Sequence, residues 1–213
     1  MNAKVRPTLT ISEKTVAFAA CSFVALWGPV ILFASSANAW VLTITPGPQT
    51  LYLGIGNSTT NAINTTINSV SVTVPANVLG LGVVQPMTSN STQSASPFDG
   101  FTVCVPPQQV YIGGFFRQPG TTANVAALQV TTPVALTNGA ATIPFSQISW
   151  TSTALGNPTA DIPAGTFNGG TLFLRNFASN TYVENCHTFN YANTNLVADG
   201  VYNGRATYTL SSP

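Results

Sequence analysis

Apolar and polar residues alternate with a period of two along most of the chain. SVSVTV places Val70, Val72 and Val74 on one face and Ser69, Ser71 and Thr73 on the other. WVLTIT groups Trp40, Leu42 and Ile44 in the same way. TLYLGIG from Thr50, QVYIGG from Gln109, VAALQVTT from Val125 and ATIPFSQISWTS from Ala141 continue the series. Clusters of turn-forming residues separate these runs: TPGPQ, GNSTTN, RQPGTT, LTNGAA, LGNPTADIPAG and NTNLVADG. Beyond residue 39, no stretch keeps a helical apolar period for long without Gly, Pro or a β-branched cluster. The pattern predicts an all-β fold of many short strands, a sandwich or a barrel. The polar stretch from Met87 to Asp99 reads as a mobile loop.

One segment recurs. IPAGTFNGG from Ile162 aligns with VADGVYNGR from Val197 at an offset of 35 residues. Phe167, Gly169, Thr171 and Phe173 then match Tyr202, Gly204, Ala206 and Tyr208 on one strand face. Glycine between two same-face aromatics leaves a gap that a ring from a neighbouring strand can cover. Two copies are too few for a repeat architecture. The expectation is two similar strands serving one core, with Tyr202, Gly204, Ala206, Tyr208 and Leu210 facing inward.

The first 39 residues break the pattern. Lys4, Arg6 and Lys14 precede a long apolar run from about Val16 to Phe33, and Ala37-Asn38-Ala39 has the form of a signal-peptidase site. The reading is a secretory signal peptide at 1–39 and a single domain at 40–213. The alternatives are an uncleaved membrane anchor, since the run is near spanning length, and lipid attachment at Cys21.

Removing this segment changes the charge. Four acids (Asp99, Asp161, Glu184 and Asp199) face three bases (Arg117, Arg175 and Arg205), and no lysine remains. A surface so poor in charge offers no footprint for nucleic acid or an anionic membrane. It also lacks the edge lysines that discourage strand pairing between molecules.

Two cysteines remain, and an exported chain with an even count suggests a disulfide between Cys104 and Cys186. Alternation puts Cys104 with Thr102, and Cys186 with Glu184 and Thr188, on the more polar strand faces. A bridge there is expected outside the core. Free thiols, or a metal site completed by His187, are the alternatives; three ligands make a poor structural zinc site.

Catalytic signals are sparse. His187 shares its face with Val183, Phe189 and Tyr191 and reads as a packed, hydrogen-bonded core histidine. No G-x-S-x-G elbow, phosphate loop or dinucleotide fingerprint occurs. Asp99, Asp161 and Asp199 flank turn residues, and Asp99-Gly and Asp199-Gly lack the clustered acids of a calcium site. No catalytic residue, metal ligand or cofactor is assigned. Trp150, Tyr52, Tyr111 and Tyr182 are candidate materials for a glycan site, and Asn57, Asn64 and Asn90 stand in N-x-S/T sequons.

The segment with Gly200, Tyr202, Gly204, Thr207 and Tyr208, alternating Thr and aromatic residues after Gly-x-aromatic-x-Gly, carries a resemblance. It looks like the closing strand of exported bacterial immunoglobulin-like domains, of chaperone–usher fimbrial subunits and of spore-coat-U-like secreted proteins. The resemblance implies an immunoglobulin-like or fimbrial-type β-sandwich with a signal peptide and one disulfide, in a secreted, periplasmic or cell-surface protein. It also implies a structural role, in which residues 40–48 donate a strand to another copy or another exported subunit. Trp40, Leu42 and Ile44 would fill alternate pockets, with Pro46-Gly47-Pro48 as the hinge. The alternatives are a first strand in the chain's own sheet and, for function, an extracellular adhesin or carbohydrate-binding module.

Overall fold

The computed structural model describes residues 42–57, 68–120, 124–155 and 159–213. The segment read as a signal peptide lies outside the described residues, as do Trp40 and the sequon residue Asn64. The described part is all-β with antiparallel sheets, and its only helical turns are short 3-10 turns at Ala76–Val78 and Phe145–Gln147.

The strands, in chain order, are β1 (Leu42–Thr43), β2 (Thr50–Ile55), β3 (Val70–Ser71), β4 (Gln85–Pro86), β5 (Thr88–Ser89), β6 (Val110–Arg117), β7 (Val125–Thr131), β8 (Ala135–Asn138), β9 (Ala141–Pro144), β10 (Ile148–Thr153), β11 (Gly165–Thr166), β12 (Thr171–Ala178), β13 (Thr181–Tyr191) and β14 (Thr207–Ser211). The larger sheet runs β11-β10-β13-β6-β2, with β1 and β4 also paired to β13. A second sheet runs β12-β7-β14, and β3-β5 and β8-β9 form small ribbons.

Both main sheets feed one core. Val110, Ile112, Phe116, Ile148, Trp150, Val183 and Phe189 come from the larger sheet, and Ala126, Leu128, Val130, Leu174 and Phe177 from the smaller. The predicted alternation is explicit in β7, where Ala126, Leu128 and Val130 are buried between more exposed neighbours. Residues 69–74 alternate in exposure as expected, although only Val70–Ser71 pair as a strand.

The two similar segments flank one strand. Thr171 and Thr207 both oppose Thr131, and Leu172 and Tyr208 both oppose Val130. This is one residue away from the 35-residue alignment. A bulge between Phe173 and Arg175 restores that offset, so Arg175 and Leu210 both oppose Leu128. A one-residue slip exchanges the faces of a strand, and Phe173 accordingly points outward, 53 % exposed, while Leu174 is buried. The later segment is strand only from Thr207, and Tyr202 lies outside it, half-buried, donating its hydroxyl to the Ala198 carbonyl at 2.8 Å. Ala206, Tyr208 and Leu210 pack against the core as expected.

Of the two predicted glycine gaps, the one at Gly204 is filled by the Phe145 ring together with Leu136, whereas the one at Gly169 faces the Val134 backbone, where a Cβ would lie 3.0 Å from the Val134 Cα. A Cβ on Gly204 would lie 2.6 Å from Leu136 Cδ2 and 2.7 Å from Phe145 Cε2. At Gly165, directly opposite Trp150, the indole occupies the corresponding space. Gly204→Ala is expected to destabilise the fold by about 1–3 kcal/mol through overpacking. A urea midpoint equal to that of the parent would show that the Phe145 ring has room to shift.

Candidate functional site: a strap across the central strand

β13 is long and central, so both of its faces are covered. One face carries Val183, His187 and Phe189 into the main core. The other presents Tyr182, Glu184 and Cys186 in succession, and the segment Ser94–Cys104 lies over them. This strap braces itself. Ala95 bridges Thr102, Ser96 N–H donates to the Phe101 carbonyl at 2.7 Å, and Gly100 N–H donates to the Ser96 carbonyl at 3.0 Å. The Asp99 carboxylate accepts the Phe101 N–H at 3.0 Å, and the Ser94 carbonyl accepts Val103 N–H at 2.8 Å and Cys104 N–H at 3.0 Å.

Two contacts fasten it. Cys104 is disulfide-bonded to Cys186, and the Phe98 ring stacks on Tyr182 with centroids 4.5 Å apart. The expectation of a mobile loop from Met87 to Asp99 is corrected: this stretch contains β5, and Ser91 and Ser96 within it are buried. The expectation that the bridge lies outside the core is corrected as well. Cys104 and Cys186 are buried with Tyr111 in a small core of their own, flanked by Val103 and Leu155. The strap supplies this second core, and alternation in β13 alone carries no sign of it.

Glu184 sits between the two fastenings. Tyr111 donates its hydroxyl to Glu184 Oε2 at 2.9 Å, and the Tyr111 and Tyr182 hydroxyls are 2.5 Å apart. Gly113 opposes Glu184 across the β6–β13 pair, and a Cβ on it would overlap the Tyr111 hydroxyl. The glycine therefore lets the Tyr111 ring lie along its own strand and reach the carboxyl. Burial raises the Glu184 pKa above the usual carboxylate range, against hydrogen bonds from Ser96 and Tyr111, and the charge of Asp99 raises it further. Burial also pushes both tyrosine hydroxyls well above their ordinary range.

The other candidates lie apart. His187 is fully buried on the opposite face of β13, its ring 5.9 Å from that of Trp150, and burial pushes its pKa down to about 3. It is packed as expected but not hydrogen-bonded: among the described residues neither ring nitrogen has a partner. Asp161 accepts Arg175 Nη1 at 2.5 Å. Glu184 and His187 therefore lie on opposite faces of β13, Asp161 is engaged by Arg175, and Asp199 is exposed in a loop. Among the described residues no three His, Cys, Asp or Glu side chains come together as metal ligands.

Trp150, Tyr52, Tyr111 and Tyr182 are all buried and form no exposed platform. Among the described residues the exposed aromatics are Phe98, Phe101 and Phe173. A shallow groove of about 370 Å³ between Ser89–Thr92 and Pro106–Pro107 contains no titratable group. Sequence reasoning paired Cys104 with Cys186 but named Tyr111, Tyr182 and Glu184 only singly, and missed their union beside the bridge. The available signal was that Tyr182, Glu184 and Cys186 share one strand face.

No protein-family model, curated protein or solved structure matches this chain. The class defined by fold and site is an all-β, antiparallel, disulfide-bonded domain. Such a bond is characteristic of oxidising, extracytoplasmic compartments.

Proposed function

We propose that this protein is an exported, non-catalytic structural or surface subunit, an immunoglobulin-like or fimbrial-type β-sandwich that assembles by strand donation from residues 40–48. The observation that supports the reading best is the tenuous seat of that segment. Among the described residues, β1 pairs with β13 through Leu42↔Tyr182 and Thr43↔Thr181. Ile44 follows, its N–H donating to the Asn180 carbonyl at 2.9 Å and its side chain buried among Tyr52, Phe115 and Tyr182. Pro46-Gly47-Pro48 then separates this arm from β2. A short strand beyond such a hinge is readily exchanged for the same strand of a neighbour. The lack of lysine beyond residue 39 leaves little charge to oppose that pairing.

Negative-stain microscopy of the oxidised protein is expected to reveal filaments or higher oligomers. A monomer at every concentration would end the proposal. Deleting residues 40–48 should leave a folded monomer that no longer assembles; loss of folding would instead make the arm an obligatory strand of its own sheet.

The second reading is a glycan-binding or adhesive module. It is favoured by Phe101, 63 % exposed on the strap beside Asp99. An exposed ring next to a hydrogen-bond acceptor suits a sugar face. Retention on a glycan array, lost in Phe101→Ala, would support this reading over assembly.

A further inference from the structure

The strap is attached to β13 at successive positions of one face, and the attachments differ in kind. At Cys186 it is covalent, and at Tyr182 it is a ring stack. Between them lies Glu184, half-buried, accepting from the Tyr111 hydroxyl at 2.9 Å and from the Ser96 hydroxyl on the strap, with a second carboxylate, Asp99, on the same strap within electrostatic reach. A cover fastened in this way can lift only about its covalent end.

The titratable groups around Glu184 come from every element packed on it. They are Tyr111 on β6, Tyr182 on β13 itself and Asp99 on the strap, while Tyr52 on β2 acts on Tyr182. The tyrosines remain protonated where a carboxyl titrates. None of the three arginines among the described residues pairs with Glu184; Arg175 is engaged by Asp161, and Arg117 lies over the Phe115 ring at 5.4 Å. Ionising Glu184 therefore places a half-buried anion near a second anion, with no cation among the described residues paired to it.

We propose that the Ser94–Cys104 strap is a pH-gated cover, closed while Glu184 carries a proton and lifting about the disulfide when Glu184 ionises beside Asp99. The sign follows from linkage. The closed state holds the proton more tightly than the open, solvated state, so closure is fully supported below the ordinary carboxylate range. It weakens as pH rises through the raised value of the closed state. Lifting the strap bares Tyr182, which also walls the seat of Ile44, so the hold on the N-terminal arm follows the strap. The gate depends on contacts within one chain and stands whether or not the arm is donated.

Amide hydrogen exchange on the full-length, oxidised protein tests it, with rates corrected for intrinsic pH dependence. Protection at Ser96, Gly100 and Cys104, whose N–H groups are bonded within the strap, is expected to fall relative to β7. The fall should be at least about threefold from about pH 5 to about pH 8, the limit for one proton being tenfold per pH unit. Glu184→Gln should abolish that fall, and Asp99→Asn should shrink it. Constant strap protection in the parent, or an equal fall in Glu184→Gln, would overturn the gate. If Glu184→Gln does not fold, Asp99→Asn decides, since a fall equal to that of the parent leaves no role for the second carboxylate.

Discussion

Replacing Cys104 and Cys186 together by alanine is expected to lower the unfolding free energy by about 4–5 kcal/mol in the chain-entropy account of disulfides. The cysteines are 82 positions apart in sequence, so the bridge removes much freedom from the unfolded chain. Both are buried, so the alanines also leave space beneath the strap. The loss is comparable to the whole stability of many domains. Urea unfolding of the oxidised parent, the reduced parent and the double variant measures it. Coincident midpoints would show that the strap stays in place without its covalent end. Limited proteolysis adds a local readout, since new cleavage should appear first within 94–104.

Acid is expected to destabilise the protein through His187. The ring is neutral in the fold, with its pKa pushed down to about 3 by burial, and it regains an ordinary value near 6.5 when unfolded. Between those values the unfolded chain binds a proton that the folded chain refuses. Stability therefore falls as pH drops below about 6.5, by up to about 1.4 kcal/mol per pH unit. Glu184 acts in the opposite sense, because its raised pKa favours the folded state in acid. His187→Leu removes the titration and places an apolar side chain in an apolar site. It should leave the urea midpoint near neutral pH little changed and flatten the decline toward about pH 4.5. An undiminished acid decline in His187→Leu would assign the sensitivity to other groups.

Most of the fold was legible because binary alternation is written directly by burial on one side of a strand. β2, β6, β7, β10 and β13 all fall in segments whose alternation predicts them or on the faces assigned to Cys186 and His187. Two kinds of information were not local. The bulge at Leu174 inserts one residue and moves Phe173 outward, and nothing in the sequence of β12 marks it. The covering of the second face of β13 depends on a segment some eighty positions earlier, rich in Ser and Thr, whose burial comes from its own hydrogen bonds and from Phe98. The same concealment explains the candidate site. Tyr111, Tyr182 and Glu184 each look ordinary alone, and only the β6–β13 register, with Gly113 opposite Glu184, brings their oxygens together.

The order of strands around β7 also carries a kinetic consequence. Its two neighbours are contributed by Thr171–Ala178 and Thr207–Ser211, and Thr43 meets Thr181 in the other sheet. Apart from the β8–β9 ribbon and the β10–β11 pair, the sheets are completed by residues far apart in sequence, so loop closure precedes most of the reward and folding belongs to the slow, milliseconds-to-seconds regime. A nascent chain cannot finish the larger sheet until Thr181–Tyr191 has emerged, nor the smaller until Thr207–Ser211 has. For the exported subunit proposed above, delay of that kind would keep the polypeptide threadable through a translocation pore and defer compaction until an oxidant can join Cys104 to Cys186.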